Sequence, residues 1–225
     1  KQIGRNLLLA RLVRNGAFGG ENSIGLSLAT AQDSNDYRSA GVFLSRPLGA
    51  GPTTLFTQAS IAEVRAESSG VEVNQDRSQL ELKLSRALPD WSGRKMSGWL
   101  SFEIDELDVR HDGSLAREDR LRSLLAGTSV SWRGGVRQHL LTVEADIGLD
   151  AFGSQLENYV TPGDGRRNDY LIARLQYVDL TRLNERWSLR LDTYAQYSAD
   201  VLPSVKRFKV GGGRIGRGFD AAALA

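Results

Sequence analysis

Apolar and polar side chains alternate with a period of two along most of the chain. The clearest stretch is Ser78–Leu88, where Leu80, Leu82 and Leu84 alternate with polar residues. Successive side chains of an extended strand point to opposite faces, so this period predicts strands with one apolar and one polar face. The same pattern predicts strands at Ser23–Thr30, Lys95–Asp105, Val136–Leu149 and Trp187–Tyr197, and more weakly at Leu7–Arg14, Tyr37–Leu48, Leu55–Arg65, Leu121–Trp132 and Tyr170–Leu180.

One segment has the composition of a helix. Ala116–Ala126 is rich in residues that favour helices, but its second half also belongs to an alternating stretch. A short loop helix is therefore the most that the pattern allows there. The chain as a whole is predicted to be all-β, with about ten antiparallel strands of roughly 8 to 14 residues, a length that suits tilted spans of a bilayer.

Alternation alone fits two architectures. A soluble β-sandwich buries its apolar faces, whereas a transmembrane β-barrel turns them towards lipid. The strands outnumber those of one small sandwich, and the aromatic residues Trp132, Tyr177, Trp187 and Tyr197 lie towards strand ends, as in an interfacial girdle. We therefore predict an antiparallel transmembrane β-barrel, with a soluble carbohydrate-binding or structural sandwich as the alternative.

The predicted connections between the strands are short and long in turn. Barrels of the outer membrane have short periplasmic turns and longer external loops, so this alternation predicts that the first strand runs inward and that the last connection is external. The predicted short connections are Asn15–Asn22, Gly49–Pro52, Pro89–Arg94, Arg133–Gly135 and Thr181–Arg186, and the long ones are Gln32–Asp36, Glu67–Asp76, His111–Asp119, Asp150–Asp169 and Ser198–Asp220.

Composition narrows the classes of function. The 225 residues include 29 basic and 27 acidic side chains, and the formal net charge of +2 gives no strong field that would favour nucleic acid as a partner. No apolar run approaches the roughly 18 to 20 residues of a transmembrane helix. The chain has no cysteine, which excludes disulfides and thiolate metal sites. Lys1–Leu12 has no features of a signal peptide, so the start of an exported protein would precede it.

Charged side chains follow the polar faces of the predicted strands. Together they would line a hydrated channel of mixed charge, whereas each one alone fits an ordinary solvated position. Acidic residues two apart on a strand merely share a face, and neither His111 nor His139 has a neighbour that suggests catalysis or zinc. We therefore expect no catalytic residue, no metal site, no cofactor and no enzymatic activity. The predicted channel-lining residues are Glu81, Lys83, Glu103, Asp105, Glu144, Asp146, Arg174, Arg190 and Asp192.

A glycine-rich segment follows the last predicted strand. Five glycines and two arginines lie between Phe208 and Asp220, so the backbone there can approach another surface closely. Arg217 would need a carboxylate to offset its desolvation in a confined space. The spacing from Gly211 to Gly216 also matches G-x-G-x-x-G, but no βαβ unit surrounds it, so a dinucleotide site is not favoured. A flexible glycine and arginine loop for nucleic acid is a further alternative.

The sequence Arg217-Gly218-Phe219 behind this glycine run resembles the RGF/RGY lid-loop motif of two-partner-secretion transporters, the hemolysin secretion/activation family of outer-membrane barrels. The resemblance is specific over Gln196–Asp220 and loose over the strands. In that family the loop folds into the lumen and is needed for secretion, and its arginine meets an acidic residue on the wall. The chain departs from the pattern at Gly216, where many members have valine or isoleucine. The implied lid-loop residues are Gly211, Gly212, Gly216, Arg217, Gly218 and Phe219.

This resemblance implies a transporter of the bacterial outer membrane that threads an unfolded exoprotein through a monomeric barrel. Because the family's lid loop follows the eleventh of about sixteen strands, residues 1–199 would hold the second to eleventh strands and residues 200–225 the lid loop. The periplasmic POTRA domains, the first and last strands and the acidic partner of Arg217 would then lie outside this chain. The expected partners are the exoprotein and outer-membrane lipid, without nucleotide or nucleic acid. A barrel-assembly insertase of the BamA/TamA type is the alternative within this fold.

Overall fold

A computed structural model describes residues 7–17, 20–31, 37–68 and 70–207 of the chain. These ranges form β-strands and one 3₁₀ turn, Ser204–Lys206, so the predicted all-β class is confirmed. The strands are β1 (Leu7–Asn15), β2 (Ser23–Ala31), β3 (Tyr37–Pro47), β4 (Thr53–Ser68), β5 (Val71–Trp91), β6 (Arg94–His111), β7 (Ser114–Gly134), β8 (Arg137–Gly148), β9 (Gln155–Asn158), β10 (Leu171–Arg182) and β11 (Ser188–Tyr197).

All eleven strands belong to one antiparallel sheet. Ten follow the order of the chain as a meander, while the four-residue strand β9 pairs with Arg117–Arg120 of β7. We call the edge with the connections 92–93, 135–136 and 183–187 the turn end, and the edge with the connections 69–70, 112–113 and 149–170 the loop end. In the described residues, β1 and β11 do not pair with each other, so the sheet is open. No helix in these residues is long and apolar enough to cross a membrane.

The two faces of the sheet are the reverse of those in a soluble sandwich. On the apolar face, Leu26 and Leu100 are 52% and 53% exposed, and no second layer covers them in the described part of the chain. On the polar face, Asp146 is 0% exposed and Asp105 and Ser123 are also buried. A sheet that exposes leucines and buries carboxylates is suited to lipid on its apolar side. The soluble sandwich is therefore not supported.

The aromatic residues that suggested an interfacial girdle lie on the apolar face. Trp187 is strongly exposed beside the turn end, and Tyr197 is strongly exposed at the opposite end of β11. Trp132 stacks on His139 with ring centroids 4.9 Å apart, and the His139 ring stacks in turn on Tyr177. Amphipathic rings in these positions fit the two boundaries of a lipid layer.

Two of the predicted long connections are wrong. Glu67–Asp76 belongs to β4 and β5, which are joined by residues 69–70, and His111–Asp119 belongs largely to β6 and β7. Asp112 and Gly113 join β6 to β7 with φ angles of 47° and 79°, the left-handed values that a two-residue hairpin turn of type I′ requires. The connections are therefore not strictly short and long in turn.

Ion pairs across the strands explain this difference. Arg110 on β6 pairs with Asp76 on β5, and Arg120 on β7 pairs with Asp108 on β6 at 2.7 Å. Near the loop end these charged side chains occupy the face that is apolar elsewhere in the sheet, so the apolar pattern of that face ends in the sequence while the hydrogen-bonded ladder continues. The short helix that the composition allowed at Ala116–Ala126 does not form either, because this segment lies inside β7.

Candidate functional site

The polar face of the sheet holds all nine charged residues that were predicted to line a channel. Strand register places Glu81 opposite Glu103, and Glu144 opposite Arg174, and the other five share the same face. This placement follows from the period of two and from the antiparallel pairing of neighbouring strands. The role of these residues as a channel lining stays a prediction.

Arg174 on β10 joins two of the predicted carboxylates. Its Nη1 donates to Glu144 Oε1 at 2.8 Å, and its Nη2 donates to Asp146 Oδ2 at 2.9 Å. Its Nε donates to the side-chain oxygen of Gln196 on β11 at 3.3 Å. The guanidinium thus ties together β8, β10 and β11, and the planar fork of arginine provides the geometry for several acceptors at once.

The residues that follow β11 turn back over the polar face. Leu202 is buried in a cluster with Leu121, Tyr170 and Ile172, and Val205 packs against the same cluster. We call residues 201–207 the docked segment. Arg207 Nε donates to the carbonyl oxygen of Leu202 at 2.9 Å, which closes the segment around its 3₁₀ turn. Apolar burial therefore brings the start of the loop after β11 onto the wall of the sheet.

Lys206 anchors the docked segment by charge. Its Nζ lies 3.1 Å from Glu103 Oε2, from Ser123 Oγ and from Asp146 Oδ2, which belong to β6, β7 and β8. Burial alone would lower the pKa of this loop ammonium, but the carboxylates of Asp146 and Glu103 outweigh the burial and raise its pKa above the ordinary value. Lys206 is therefore charged, and it is the central side chain of the site.

Sequence reasoning missed Lys206. It lies between the last alternating strand and the glycine-rich motif, where no periodicity shows which way a side chain points. Its partners are 60 to 103 positions away in the sequence. The only available signal was its place within Gln196–Asp220, the stretch whose resemblance implies a loop that folds inward.

The remaining predicted residues of the polar face do not join this cluster. Asp105 forms a bidentate pair with Arg77, and Glu81 accepts a hydrogen bond from Ser101 at 3.0 Å. The Lys83 ammonium lies 5.0 Å from the centroid of the Trp99 ring. On β11, Arg190 and Asp192 pair with each other on an exposed part of the face.

The connection between β8 and β10 is also fastened to the sheet. Arg166 pairs with the buried Asp119 of β7 through Nη1 and with Asp164 through Nε at 2.6 Å. The amide nitrogen of Arg167 donates to the carbonyl oxygen of Val201 at 3.3 Å, so this connection also contacts the docked segment. Burial alone would raise the pKa of Asp164, but hydrogen bonds from Asn158 and Arg166 outweigh it and lower that pKa.

The predicted lid-loop motif lies outside the described residues. This applies to Gly211, Gly212, Gly216, Arg217, Gly218 and Phe219, whose role stays a prediction. In the described ranges, no group of three or more histidine, cysteine, aspartate or glutamate side chains is arranged to hold a metal ion. The site is thus an electrostatic docking surface between the polar face and the segment that leads to the motif.

A protein-family model described as "Haemolysin secretion/activation protein ShlB/FhaC/HecB" matches residues 1–225. Among solved structures, the chain is similar to CdiB from Escherichia coli, with a TM-score of 0.86 and 20% identity over 98% of this chain and 42% of that one. It is also similar to CdiB from Acinetobacter baumannii, with a TM-score of 0.74 and 17% identity over 96% of this chain and 40% of that one.

The chain therefore spans less than half the length of both CdiB chains. At these identities the structural likeness is evidence for the fold alone, and the match to the family model covers every residue of the chain. No curated protein gave a significant match.

Proposed function

Because the chain belongs to the haemolysin secretion/activation family ShlB/FhaC/HecB, we propose that it is part of an outer-membrane β-barrel that translocates a partner exoprotein. The exoprotein would pass from the periplasm to the cell surface through the space beside the polar face. The apolar face would contact outer-membrane lipid, and one copy of the complete protein would form the barrel. We assign residues 1–199 to barrel strands and residues 200–225 to the lid loop.

The docking of residues 201–207 on the polar face is the observation that carries this proposal. A segment that leaves the last strand and returns to a charged inner wall occupies space that a passing chain would need. Leu202 and Lys206 hold it there by apolar burial and by three hydrogen bonds. A barrel of this kind has a filled resting state and must move its own loop to conduct a polypeptide.

The glycine-rich motif after the docked segment would extend this filling. We propose that Arg217 reaches a carboxylate on a part of the wall outside this chain and that Gly216 and Gly218 allow its backbone to approach closely. Removal of one partner from a desolvated arginine–carboxylate pair costs about 3–5 kcal/mol, which is enough to free a loop held by a similar margin.

Substitution of the two arginines in the full-length protein tests the proposal. Arg217→Ala and Arg217→Lys should both reduce secretion of the partner exoprotein into the medium and change single-channel conductance, because lysine keeps the charge but lacks the planar fork. Arg214→Ala is the matched control within the same glycine run and should have a much smaller effect. Equal and mild effects of all three substitutions would show that the loop acts through its glycines or its bulk.

The family match favours secretion over the insertase that the sequence alone left open. The two activities predict different losses when the lid loop is deleted. Deletion should abolish secretion of one exoprotein and leave the amounts of other outer-membrane barrels unchanged, whereas a general loss of folded barrels would favour the insertase. The exoprotein could add to a free strand edge by β-augmentation during passage.

A further inference from the structure

Three strands of the polar face converge on a single side chain of the loop. An ammonium group has three N–H donors, and the acceptors Glu103 Oε2, Ser123 Oγ and Asp146 Oδ2 each lie 3.1 Å from Lys206 Nζ. The Lys206 side chain is 7% exposed. A charge this buried is stable only where its lost hydration is replaced, and here one acceptor is present for each proton.

We propose that Lys206 is a releasable latch, a positioning residue that holds the docked segment, the first part of the lid loop, on the inner wall until transport begins. This inference rests on the proposed function for its biological role, but the contact itself is independent of that role. Arg217 would fasten the glycine-rich motif, so the loop would have two separate points of attachment. Lys206 fastens the docked segment.

The surroundings of the latch make its release feasible. Asp146 Oδ2 accepts from Lys206 and also from Arg174 at 2.9 Å, so departure of the lysine leaves this buried carboxylate with a cation. Glu103 is partly exposed and would gain water when the loop leaves. The carboxylate charges of the wall are therefore compensated both when the loop is docked and when it is released. A single isolated lysine–carboxylate pair would leave its carboxylate uncompensated on release.

A second contact links the latch to the same arginine. Gln196 donates from Nε2 to the Lys206 carbonyl oxygen at 3.0 Å, while its side-chain oxygen accepts from Arg174. Arg174 thus supports the docked loop through Gln196 and remains as the replacement partner of Asp146.

Thiol labelling in the full-length protein tests the latch directly. This chain has no cysteine, so in a full-length protein without other thiols a single Val205→Cys reports on the docked segment, where Val205 packs against the buried cluster. Lys206→Met keeps the length of the side chain and removes its charge. We expect it to accelerate labelling by a membrane-impermeant maleimide about tenfold or more, because it leaves the carboxylates of the site without their loop cation.

Two further variants make the result specific. Lys95→Met changes an exposed lysine on the same face near the turn end and should alter labelling less than about twofold, as surface substitutions usually do. Glu103→Gln removes one acceptor charge and should also accelerate labelling, which provides the test if Lys206→Met does not assemble. A shift in gel mobility on heating identifies the folded barrel in each preparation.

Unchanged labelling in folded Lys206→Met or Glu103→Gln protein would overturn the latch, whatever happens to secretion. Faster labelling in both variants, with the lysine control unchanged, would support it. Secretion measured in the same strains separates the two proposals. Faster labelling in a protein that never exports an exoprotein would leave the latch standing and refute the transport function.

Discussion

The buried ion pair between Arg166 and Asp119 should decide whether the connection between β8 and β10 stays closed. The Arg166 side chain is 4% exposed, and Asp119 is fully buried. Loss of one partner from a buried pair costs about 3–5 kcal/mol. The Nε of Arg117 lies 3.5 Å from Asp119 Oδ2 and would compensate part of the charge that remains. We therefore expect Arg166→Ala to weaken closure by about 2–3 kcal/mol.

Hydrogen exchange of β9 measures this loss. The Tyr159 amide donates to the Ala116 carbonyl oxygen at 2.9 Å, so exchange of the peptide from residue 155 to residue 159 requires the connection to open. A change of 2–3 kcal/mol corresponds to exchange about 30 to 150 times faster. Peptides from β10 and β11 should keep their protection, because their ladder does not depend on Arg166.

The neighbouring arginine provides the control. Arg167 pairs with Asp169, but its side chain is 57% exposed, and such surface pairs contribute little. Arg167→Ala should therefore change exchange in β9 by a few-fold at most. If Arg166→Ala and Arg167→Ala had equal effects, or if neither accelerated exchange, the buried pair would not be what closes the connection.

Three further predictions concern orientation, packing and pH. A tag inserted at Gly163, at the loop end, should be labelled on intact cells, whereas a tag at Gly134, at the turn end, should be labelled only after permeabilisation. Reversed labelling would overturn this orientation. Gly148→Ala should reduce the heat-modifiable folded fraction, since an added Cβ would clash with the Asn168 carbonyl oxygen, whereas at Gly98 its nearest neighbour would be at 3.7 Å. Equal losses for both substitutions would contradict this reasoning. Acidification from pH 7 to pH 5 should leave hydrogen exchange in β9 unchanged apart from its intrinsic pH dependence. The pKa of Asp164 is lowered in the folded protein, so its stabilising contribution is fully present above the ordinary carboxylate pKa of about 3.9 and is lost only as the pH falls through the folded pKa. Opening between pH 7 and pH 5 would point to another titrating group.

Much of the sheet could be predicted because alternation is a local property. Leu80, Leu82 and Leu84 report the facing of β5 without knowledge of any partner strand, and the antiparallel meander follows from short connections. The prediction failed near the loop end, where charged side chains occupy the face that is apolar elsewhere in the sheet. From Val71 to Asp76 and from Ser114 to Asp119, hydrogen bonds to neighbouring strands maintain an extended backbone that the sequence pattern of the side chains did not predict.

The candidate site was also predicted only as far as local sequence patterns allow. Glu103 and Asp146 were predicted on the polar face from their spacing, but their shared contact with one ammonium was not. Asp119 and Arg166 are 47 positions apart, in segments that were predicted to be loops. Such pairs depend on which strands become neighbours and how far each one extends, and a single sequence contains no periodic signal for either.

By itself, therefore, the sequence determined the all-β class, the two faces of the strands and the charges assigned to one of them, because each of these depends on residues a few positions apart. Only the tertiary structure decided that the apolar face stays uncovered by the described residues, that β5 to β7 extend towards the loop end, and that Lys206 returns to the wall. These outcomes depend on the balance between burial and hydration at positions that strand pairing brings together from distant parts of the chain.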